Sequence, residues 1–491
     1  MDHPVIGVFH DSEMDRGRKV VSNSLRKLPP WAGAAILLTI YCIVTLLLPR
    51  PETVKPEGWR LTGLFAATIA GLIIQPIPGG ALVLIAVALS IPLAGLTPQK
   101  ALSGFADPVV WLVLSAFFIS SALIRTGLAR RIALGFVRMF GKSSLGVCYA
   151  LGLTDLCLAT IIPSAGARSG GVVMPLVRSV AEIYGSRPGE TASRIGSFLM
   201  IGVYQAICVS SATLLTAQAS NALAARMSAQ FLHYPITWLS WAQAGIVPGL
   251  VSMAIVPWVV YKLYPPDVKH TPEAAEFART ELSAMGRMGR NEWIVCAVFA
   301  GVCSMWIFSK LDASVAALMG TGVLLATGVL PWADVAGDRA AWDVFVWYGG
   351  LFELARALGE AGVTTALATA VGGALAGYSV FALFFVALLI YFFAHYGFAS
   401  ITAHTVAMFP AFAAVMYARH VPPGLAAFSL ACFGNLCACL TNYGTTPAPM
   451  FFAQGYVPFA QWWKIGFLVS LVTLTIWSTV GFGWWKFLGI W

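Results

Sequence analysis

Runs of apolar residues about as long as a lipid bilayer is thick recur along the whole chain. A helix needs about 17–25 such residues to cross the hydrocarbon core, and hydropathy predicts about eleven of these spans. They lie near residues 32–48, 60–75, 79–96, 108–126, 194–213, 244–263, 292–308, 313–330, 341–358, 424–441 and 464–487. Only helices and closed barrels satisfy their backbone hydrogen bonds in lipid. The sequence therefore predicts an all-α polytopic membrane protein.

Composition supports the same class. Of 491 residues, 58% are hydrophobic and 10% are charged, which is too little polar surface to cover a soluble core. The basic residues behind the net charge of +9 lie in short loops beside apolar spans. We therefore interpret them as a signal of membrane orientation and exclude a nucleic-acid partner. Basic clusters precede the first span and follow the fourth and sixth spans. They predict a cytoplasmic N-terminus, and an odd number of spans then leaves Trp491 outside.

The nine cysteines predict no redox or metal function. Most lie inside apolar runs, and the group Cys432, Cys437 and Cys439 lacks partner ligands at zinc spacing. The first apolar run ends at Pro49 and Arg50 without a small-residue cleavage site, so we expect an uncleaved span. No cofactor is expected.

Two regions do not fit simple crossings. Residues 143–185 and 379–419 each hold two apolar arms around a short centre rich in Gly, Ser or Thr. An amphipathic segment precedes each region, at 129–141 and 360–377. This pattern predicts re-entrant hairpins that follow in-plane helices, and a polar hairpin tip at membrane depth indicates a binding site. The alternative is that each arm spans fully and the centre is an exposed loop.

The two tips match when they are set in register. "SAGARS" at 164–169 lies over "SITAHT" at 400–405, and this pairs Arg168 with His404. Each hairpin is followed by an interrupted span, "LLTAQASN" at 214–221 or "LTNYGTTPAP" at 440–449. The repeated order predicts a duplicated transporter with two inverted repeats.

The repeats divide the chain into six predicted segments. These are a cytoplasmic tail at 1–30, scaffold helices at 31–126, a first transport repeat at 127–230, scaffold helices with a cytoplasmic loop (264–291) at 231–358, a second transport repeat at 359–460 and a last transmembrane helix at 461–491.

Four stretches resemble one family: "GFADPVVWLVLSAFFISSALIRTGLARRIAL", "IIPSAGARSGGVVMP", "FASITAHTVAMFP" and "LTNYGTTPAPMFFAQGYV". They are similar to the divalent anion:sodium symporter (DASS) family, in the branch of bacterial citrate:succinate and tartrate:succinate antiporters and plastid 2-oxoglutarate:malate translocators. The resemblance implies a homodimer in the cell membrane, the inner membrane in a bacterium. It also implies a scaffold and a transport domain in each protomer, with an elevator motion.

This chain departs from the family's usual Ser-Asn-Thr tips. Ala165 and Gly166 replace Asn and Thr after Ser164, and Ile401 replaces Asn between Ser400 and Thr402. In the second interrupted span, Asn442 replaces the branch's usual His.

The predicted substrate-binding residues lie on the tips and the interrupted spans. They are Ser164, Ala165, Gly166, Arg168, Thr216, Asn221, Ser400, Thr402, His404, Thr441, Asn442, Thr445, Thr446 and Pro447. Gly166 lets backbone approach an anion, and Arg168 and His404 offer fixed or protonatable charge in place of sodium. As alternatives, Arg168 pairs with Asp155 to fix the hairpin, His404 packs as a neutral ring, and the hydroxyls bond helix carbonyls.

The predicted function is exchange of di- or tricarboxylate anions across a lipid membrane. A sodium-coupled dicarboxylate or sulfate symporter is the main alternative, and only it would need sodium. An intramembrane hydrolase is a remote alternative because no Gly-x-Ser-x-Gly or His-Glu-x-x-His motif occurs. Nothing in the sequence indicates the charged rings of a channel.

Overall fold

A computed structural model describes residues 29–309, 311–363, 366, 377 and 379–491. Within these residues the chain is helical, with one isolated bridge between Ser143 and His270 and no strand. The first half contains α1 (Pro30–Cys42), α2 (Pro56–Ile74), α3 (Gly79–Ala94), α4 (Pro108–Arg125), α5 (Leu128–Phe140), α6 (Ser144–Ala159), α7 (Ala165–Arg168), α8 (Met174–Ile183), α9 (Gly196–Thr213) and α10 (Ala219–Phe231). The second half contains α11 (Trp238–Leu263), α12 (Pro272–Ala284), α13 (Arg290–Phe308), α14 (Ala313–Ala326), α15 (Arg339–Glu360), α16 (Val380–Phe393), α17 (Ile401–Ala418), α18 (Pro423–Leu436), α19 (Pro447–Phe452), α20 (Phe459–Ile476) and α21 (Phe482–Phe487).

Every predicted span coincides with a helix, and the predicted all-α membrane fold is confirmed. In the described part of the chain, nine helical segments are long and apolar enough to cross a membrane. Seven of these are predicted spans, and the other two are the arms of the second hairpin, Val380–Gly397 and Ile401–Ala418. Four further apolar helices are shorter, among them α3 and α14.

Local sequence explains where the helices of the predicted scaffold begin. Asp107 lies just before α4, and its carboxylate accepts the Val109 N–H at 2.9 Å. Pro108 occupies the first helical position, where no N–H is needed. Asp312 caps α14 in the same way through the Ser314 N–H at 2.8 Å. These caps satisfy backbone donors that would otherwise lack a partner at the helix start.

The first hairpin follows an amphipathic helix, as predicted. α5 buries Leu128, Ala133, Leu134 and Val137 along one face. α6 then runs to Ala159, the chain turns, and Ser164 starts α7. A π-helical turn at Ser169–Val173 joins α7 to α8, so the return arm is continuous from 165 to 183.

The second hairpin has the same plan. α16 passes into a 3-10 turn at Ala394–Gly397, the chain breaks, and Ser400 starts α17. The matching in-plane helix predicted at 360–377 lies largely outside the described residues, and so does the predicted tail through residue 28.

Each hairpin is followed by a broken helix. α9 ends at Thr213, a 3-10 turn follows at Leu215–Ala217, and α10 continues the path. α18 gives way to a 3-10 turn at Cys437–Leu440, and helix resumes at α19. Every residue of α9 is buried, and the Tyr204 hydroxyl donates to the Ala438 carbonyl at 2.6 Å. The first arm of this broken helix therefore packs against the second break in the core.

The segment predicted as a cytoplasmic loop at 264–291 contains a helix. α12 packs on α5, where Arg130 and Glu281 form an ion pair at 2.6 Å. The Tyr184 hydroxyl donates to Glu273 at 2.6 Å and lowers the pKa of that carboxyl. Arg131 of α5 also donates to the Gly286 carbonyl at 2.9 Å, so this region is an ordered cover over α5 and the first hairpin.

Candidate substrate site

A cavity of about 620 Å³ lies where the two hairpin tips meet. The tips contribute Ser164, Ala165 and Gly166 on one side and Ser400, Thr402 and Ala403 on the other. The broken helices contribute Gln218, Ala219, Ser220 and Thr446. Pro163 lines the cavity beside the first tip. The remaining wall is formed by residues of the predicted scaffold: Gly71, Leu72, Gln75, Pro76, Ile77, Pro78, Gly79, Phe117, Ala340, Asp343, Val344, Trp347 and Leu351. Six of the predicted site residues therefore share one cavity.

The two tip serines have the same local geometry. Ser164 Oγ accepts the Ala167 N–H at 3.1 Å, and Ser400 Oγ accepts the Ala403 N–H at 3.4 Å. Each serine is the N-cap of the helix that leaves its tip, in extended backbone conformation. A hydroxyl that accepts from the backbone keeps its own hydrogen free to donate to a ligand. The register proposed from sequence is thus a structural equivalence.

The first tip approaches the second broken helix closely. A methyl group placed on Gly166 would lie 2.7 Å from Thr446 Cγ2, nearer than a carbon atom can approach. Gly166 thus allows the first tip to contact Thr446, and both residues line the cavity.

Gln218 and Ser220 line the cavity although neither was predicted as a site residue. Gln218 Nε2 donates to Asn435 Oδ1 at 3.2 Å, and Asn435 Nδ2 donates to Asn221 Oδ1 at 2.8 Å. The Ser220 hydroxyl is buried and has no partner among the described residues. Gln218 stands in the interrupted motif "LLTAQASN", which was the available signal for its position.

The scaffold wall carries the cavity's acidic group. Asp343 is the one ionisable residue among the described lining residues, and it packs against the start of α3. A methyl group on Gly80 would lie 2.4 Å from Asp343 Oδ1. A carboxylate at this wall would repel the anion expected from sequence, so the tips are the part of the wall that suits such a ligand.

Arg168 lies outside the cavity wall. It is fully buried, and its Nε is 2.8 Å from Asp155 Oδ1. Its Nη1 donates to the carbonyls of Ile162 at 2.7 Å and Ala217 at 2.6 Å. These bonds fasten the first hairpin to the first broken helix, so the geometry favours the structural alternative over substrate contact.

The predicted residues of the first broken helix also hold backbone. Thr216 Oγ1 donates to Thr160 O at 2.9 Å, and Asn221 Nδ2 donates to Ser211 O at 2.8 Å and Leu214 O at 2.9 Å. Helix breaks free these carbonyls, and the side chains satisfy them. Neither residue lines the cavity in this structure.

His404 and the remaining second-repeat residues lie behind the cavity. His404 Nε2 is 2.8 Å from Tyr391 O, and the ring lies inside the second hairpin. Asn442 Oδ1 accepts the Trp463 indole N–H at 3.1 Å. Thr441, Thr445 and Pro447 are buried at the second break. Substrate contact by these residues stays a prediction.

Paired hairpin tips beside two broken helices, enclosing a cavity within a polytopic helical protein, define a membrane transport protein. The chain belongs to the family described as "Sodium:sulfate symporter transmembrane region", which it matches over residues 30–491. This confirms the DASS resemblance and excludes the hydrolase interpretation.

Several relatives match nearly the whole chain. "Dicarboxylate transporter 1, chloroplastic" from Arabidopsis thaliana is 43% identical over 474 residues, which cover 94% of this chain and 85% of that protein. YflS from Bacillus subtilis (strain 168) is 42% identical, over 98% of this chain and 100% of its own length. "Inner membrane protein YbhI" from Escherichia coli (strain K12) is 34% identical, over 93% of this chain and 97% of that protein.

A solved structure shares the fold. The YdaH transporter of Alcanivorax borkumensis superposes with a TM-score of 0.52 and 13% identity, over 93% of this chain and 97% of that chain.

Proposed function

We propose that this protein transports dicarboxylate anions across a membrane by exchanging one anion for another. The observation that carries the proposal is the cavity between the hairpin tips, where four hydroxyl-bearing side chains of the two tips and the second broken helix converge. They are Ser164, Ser400, Thr402 and Thr446. Whole-length relatives named dicarboxylate transporters support this substrate class.

The tips suit carboxylates for a physical reason. α17 is 18 residues long, and its N-terminus, capped by Ser400, lies at the cavity, where Ser400, Thr402 and Ala403 form part of the wall. Helix N-termini carry partial positive charge and favour anions. Gln218 adds an amide at the cavity wall. Hydroxyl, amide and backbone donors at two opposed tips can hold the two ends of a dicarboxylate.

Exchange is favoured over sodium coupling by what the tips lack. Sodium, like other hard cations, prefers oxygen ligands. Ala165 and Ile401 occupy the positions where relatives in this family usually carry Asn, and both side chains are buried and apolar. The tips therefore offer fewer oxygens to a cation. Sodium-coupled symport of a dicarboxylate or sulfate is the alternative.

We propose a homodimer in a cell membrane, the inner membrane in a bacterium, with a cytoplasmic N-terminus and an elevator motion of the transport repeats. The distribution of Lys and Arg and the inner-membrane relative support the placement.

Counterflow in proteoliposomes tests the transport mode. Labelled succinate or malate is offered to vesicles loaded with the unlabelled anion, in buffers of sodium, potassium or choline. We expect uptake into loaded vesicles that is nearly unchanged when sodium is replaced, and little uptake into empty vesicles. Strong sodium-dependent uptake into empty vesicles would establish symport instead, and a panel with fumarate, 2-oxoglutarate, tartrate, citrate and sulfate identifies the substrate.

A further inference from the structure

Two histidines inside the second hairpin each leave one ring nitrogen without a partner. His395 Nε2 is 3.0 Å from Gly444 O, and His404 Nε2 is 2.8 Å from Tyr391 O. A carbonyl oxygen only accepts, so each Nε2 carries the proton and each Nδ1 has a free lone pair. Both Nδ1 atoms are buried without a protein partner in the described part of the chain. Buried polar atoms are rarely left unsatisfied, so the pair indicates a missing ligand.

A thiol lies beside the two imidazoles. A ring nitrogen of His395, a ring nitrogen of His404 and Sγ of Cys437 all lie within 4.8 Å of one another, and all three residues are buried. The His395 and His404 rings pack edge to face with centroids 5.1 Å apart. His395 and Cys437 both stand on 3-10 turns at helix breaks. Residues 42 positions apart in sequence thus form one cluster of nitrogen and sulfur donors.

We propose that His395, His404 and Cys437 bind a divalent metal ion of the Zn²⁺ class. Imidazole and thiolate are the ligands that Zn²⁺ prefers, at about 2.0–2.1 Å for nitrogen and 2.3 Å for sulfur. Tetrahedral bonds of those lengths separate the donors by about 3.3–3.6 Å. On binding, the most distant donors therefore approach each other by up to about 1.5 Å. A water molecule supplies a fourth ligand.

The ligand set is already oriented for this ion. Metal-bound histidines usually donate their second ring N–H to a carbonyl or carboxylate, which fixes the tautomer. Gly444 O and Tyr391 O fill that position here. On binding, the Cys437 thiol releases its proton to water and gives up its weak hydrogen bond to Gly434 O, now 3.1 Å long.

The bound ion would also supply charge near the cavity. Zn²⁺ with one thiolate and two neutral imidazoles carries a net charge of +1. The site lies one helical turn behind the second tip, because the His404 N–H donates to Ser400 O at 3.0 Å. Arg168 cannot fill this role, since Asp155 neutralises it. This charge effect rests on the proposed anion transport, whereas metal binding itself does not.

Cobalt substitution of the purified full-length protein tests the site. The protein is stripped with a chelator, loaded with Co²⁺ and examined for thiolate-to-cobalt charge-transfer absorption, and bound Zn²⁺ is measured by elemental analysis. We expect one metal ion per chain with that absorption. Cys437→Ser should remove the absorption, and His395→Gln or His404→Gln should weaken Zn²⁺ binding by at least the ~10–100-fold that loss of a supporting group costs.

Two neighbouring cysteines provide matched controls. Cys432 and Cys439 are buried on the same broken helix, and neither belongs to the cluster. Cys432→Ser and Cys439→Ser should retain both metal and absorption. Absence of stoichiometric metal, or absorption that survives Cys437→Ser, overturns the proposal. If metal binds as expected and zinc removal leaves dicarboxylate exchange unchanged, the site stands and only its charge effect on transport is rejected.

Discussion

At the scale of single residues, the closest approach in the substrate cavity is set by a glycine. Gly166→Ala would push a methyl group to 2.7 Å from Thr446 Cγ2. Overpacking of this kind typically costs about 1–3 kcal/mol, so we expect the first tip to shift and dicarboxylate exchange to fall at least tenfold. Exchange in proteoliposomes and melting temperature (Tm) in detergent measure the two effects.

Gly171→Ala is the matched control for that substitution. Its methyl group would meet Ile124 Cδ1 at 3.6 Å, which is ordinary van der Waals contact. Gly171→Ala should exchange at the wild-type rate. Thr446→Ser removes the clashing methyl group and keeps the hydroxyl. Added to Gly166→Ala, it should therefore partly restore dicarboxylate exchange. A Gly166→Ala protein with full activity would show that the tip does not need this contact.

A second residue-scale prediction separates the two interpretations of Arg168. Removing one partner of a buried ion pair costs about 3–5 kcal/mol, because the other charge is left unpaired. Arg168→Met and Asp155→Leu should therefore each lower Tm strongly, and the double variant should be destabilised by less than the sum of the two. Arg168→Met with wild-type Tm and no exchange would instead support a direct role with substrate.

At the scale of elements, sequence predicted the two hairpins well because their signals are local. Apolar arms, Ser164 and Ser400 as N-caps, and the polar interruptions at 214–221 and 440–449 can be read within short windows. Which polar residue faces the cavity depends on helix rotation and on partners far away. Arg168 meets Asp155, and Asn221 meets Asn435 across 214 positions. A single sequence does not supply those pairings.

The amide link between the two broken helices gives an element-scale prediction. Asn435 bonds both Gln218 and Asn221, and it is almost fully buried. Asn435→Ala leaves the buried Asn221 Oδ1 without its donor, at about 1–3 kcal/mol, and removes the acceptor of the half-buried Gln218 amide. We expect a lower Tm and reduced exchange, since Gln218 lines the cavity.

Gln454→Ala serves as the comparison for Asn435. Its amide donates to Met450 O at 3.1 Å on a half-buried helix end, away from the breaks. This variant should keep both Tm and exchange close to wild type. Equal losses in the two variants would show that the amide link has no special place in the site.

At the scale of the whole molecule, the cavity wall combines both predicted bodies of the chain. Tip residues such as Ser400 face scaffold residues such as Gln75 and Asp343. Sequence repeats identified the tips, but the scaffold wall carries no repeat signal and was not predicted. If the transport repeats move against the scaffold, the scaffold residues that line the cavity must change. Contacts between the two bodies then stabilise the observed arrangement.

Arg226 forms such a contact between the two bodies. It extends from α10 to pair with Asp107 of the scaffold, and its guanidinium lies 5.1 Å from the Phe352 ring centroid. Because Arg226 is part exposed, we take the pair as worth about 1 kcal/mol, or about fivefold in the equilibrium constant between this arrangement and the alternative one. Arg226→Met removes the charge and keeps the apolar stem. A cysteine at Thr402, which lines the cavity, should then react with a polar reagent more slowly, by up to about fivefold, because this state is less populated. Arg178→Met, whose ion pair with Glu182 stays within α8, should leave that rate unchanged. Equal labelling of Thr402→Cys with and without Arg226→Met would mean that the Arg226–Asp107 pair does not hold the two bodies together.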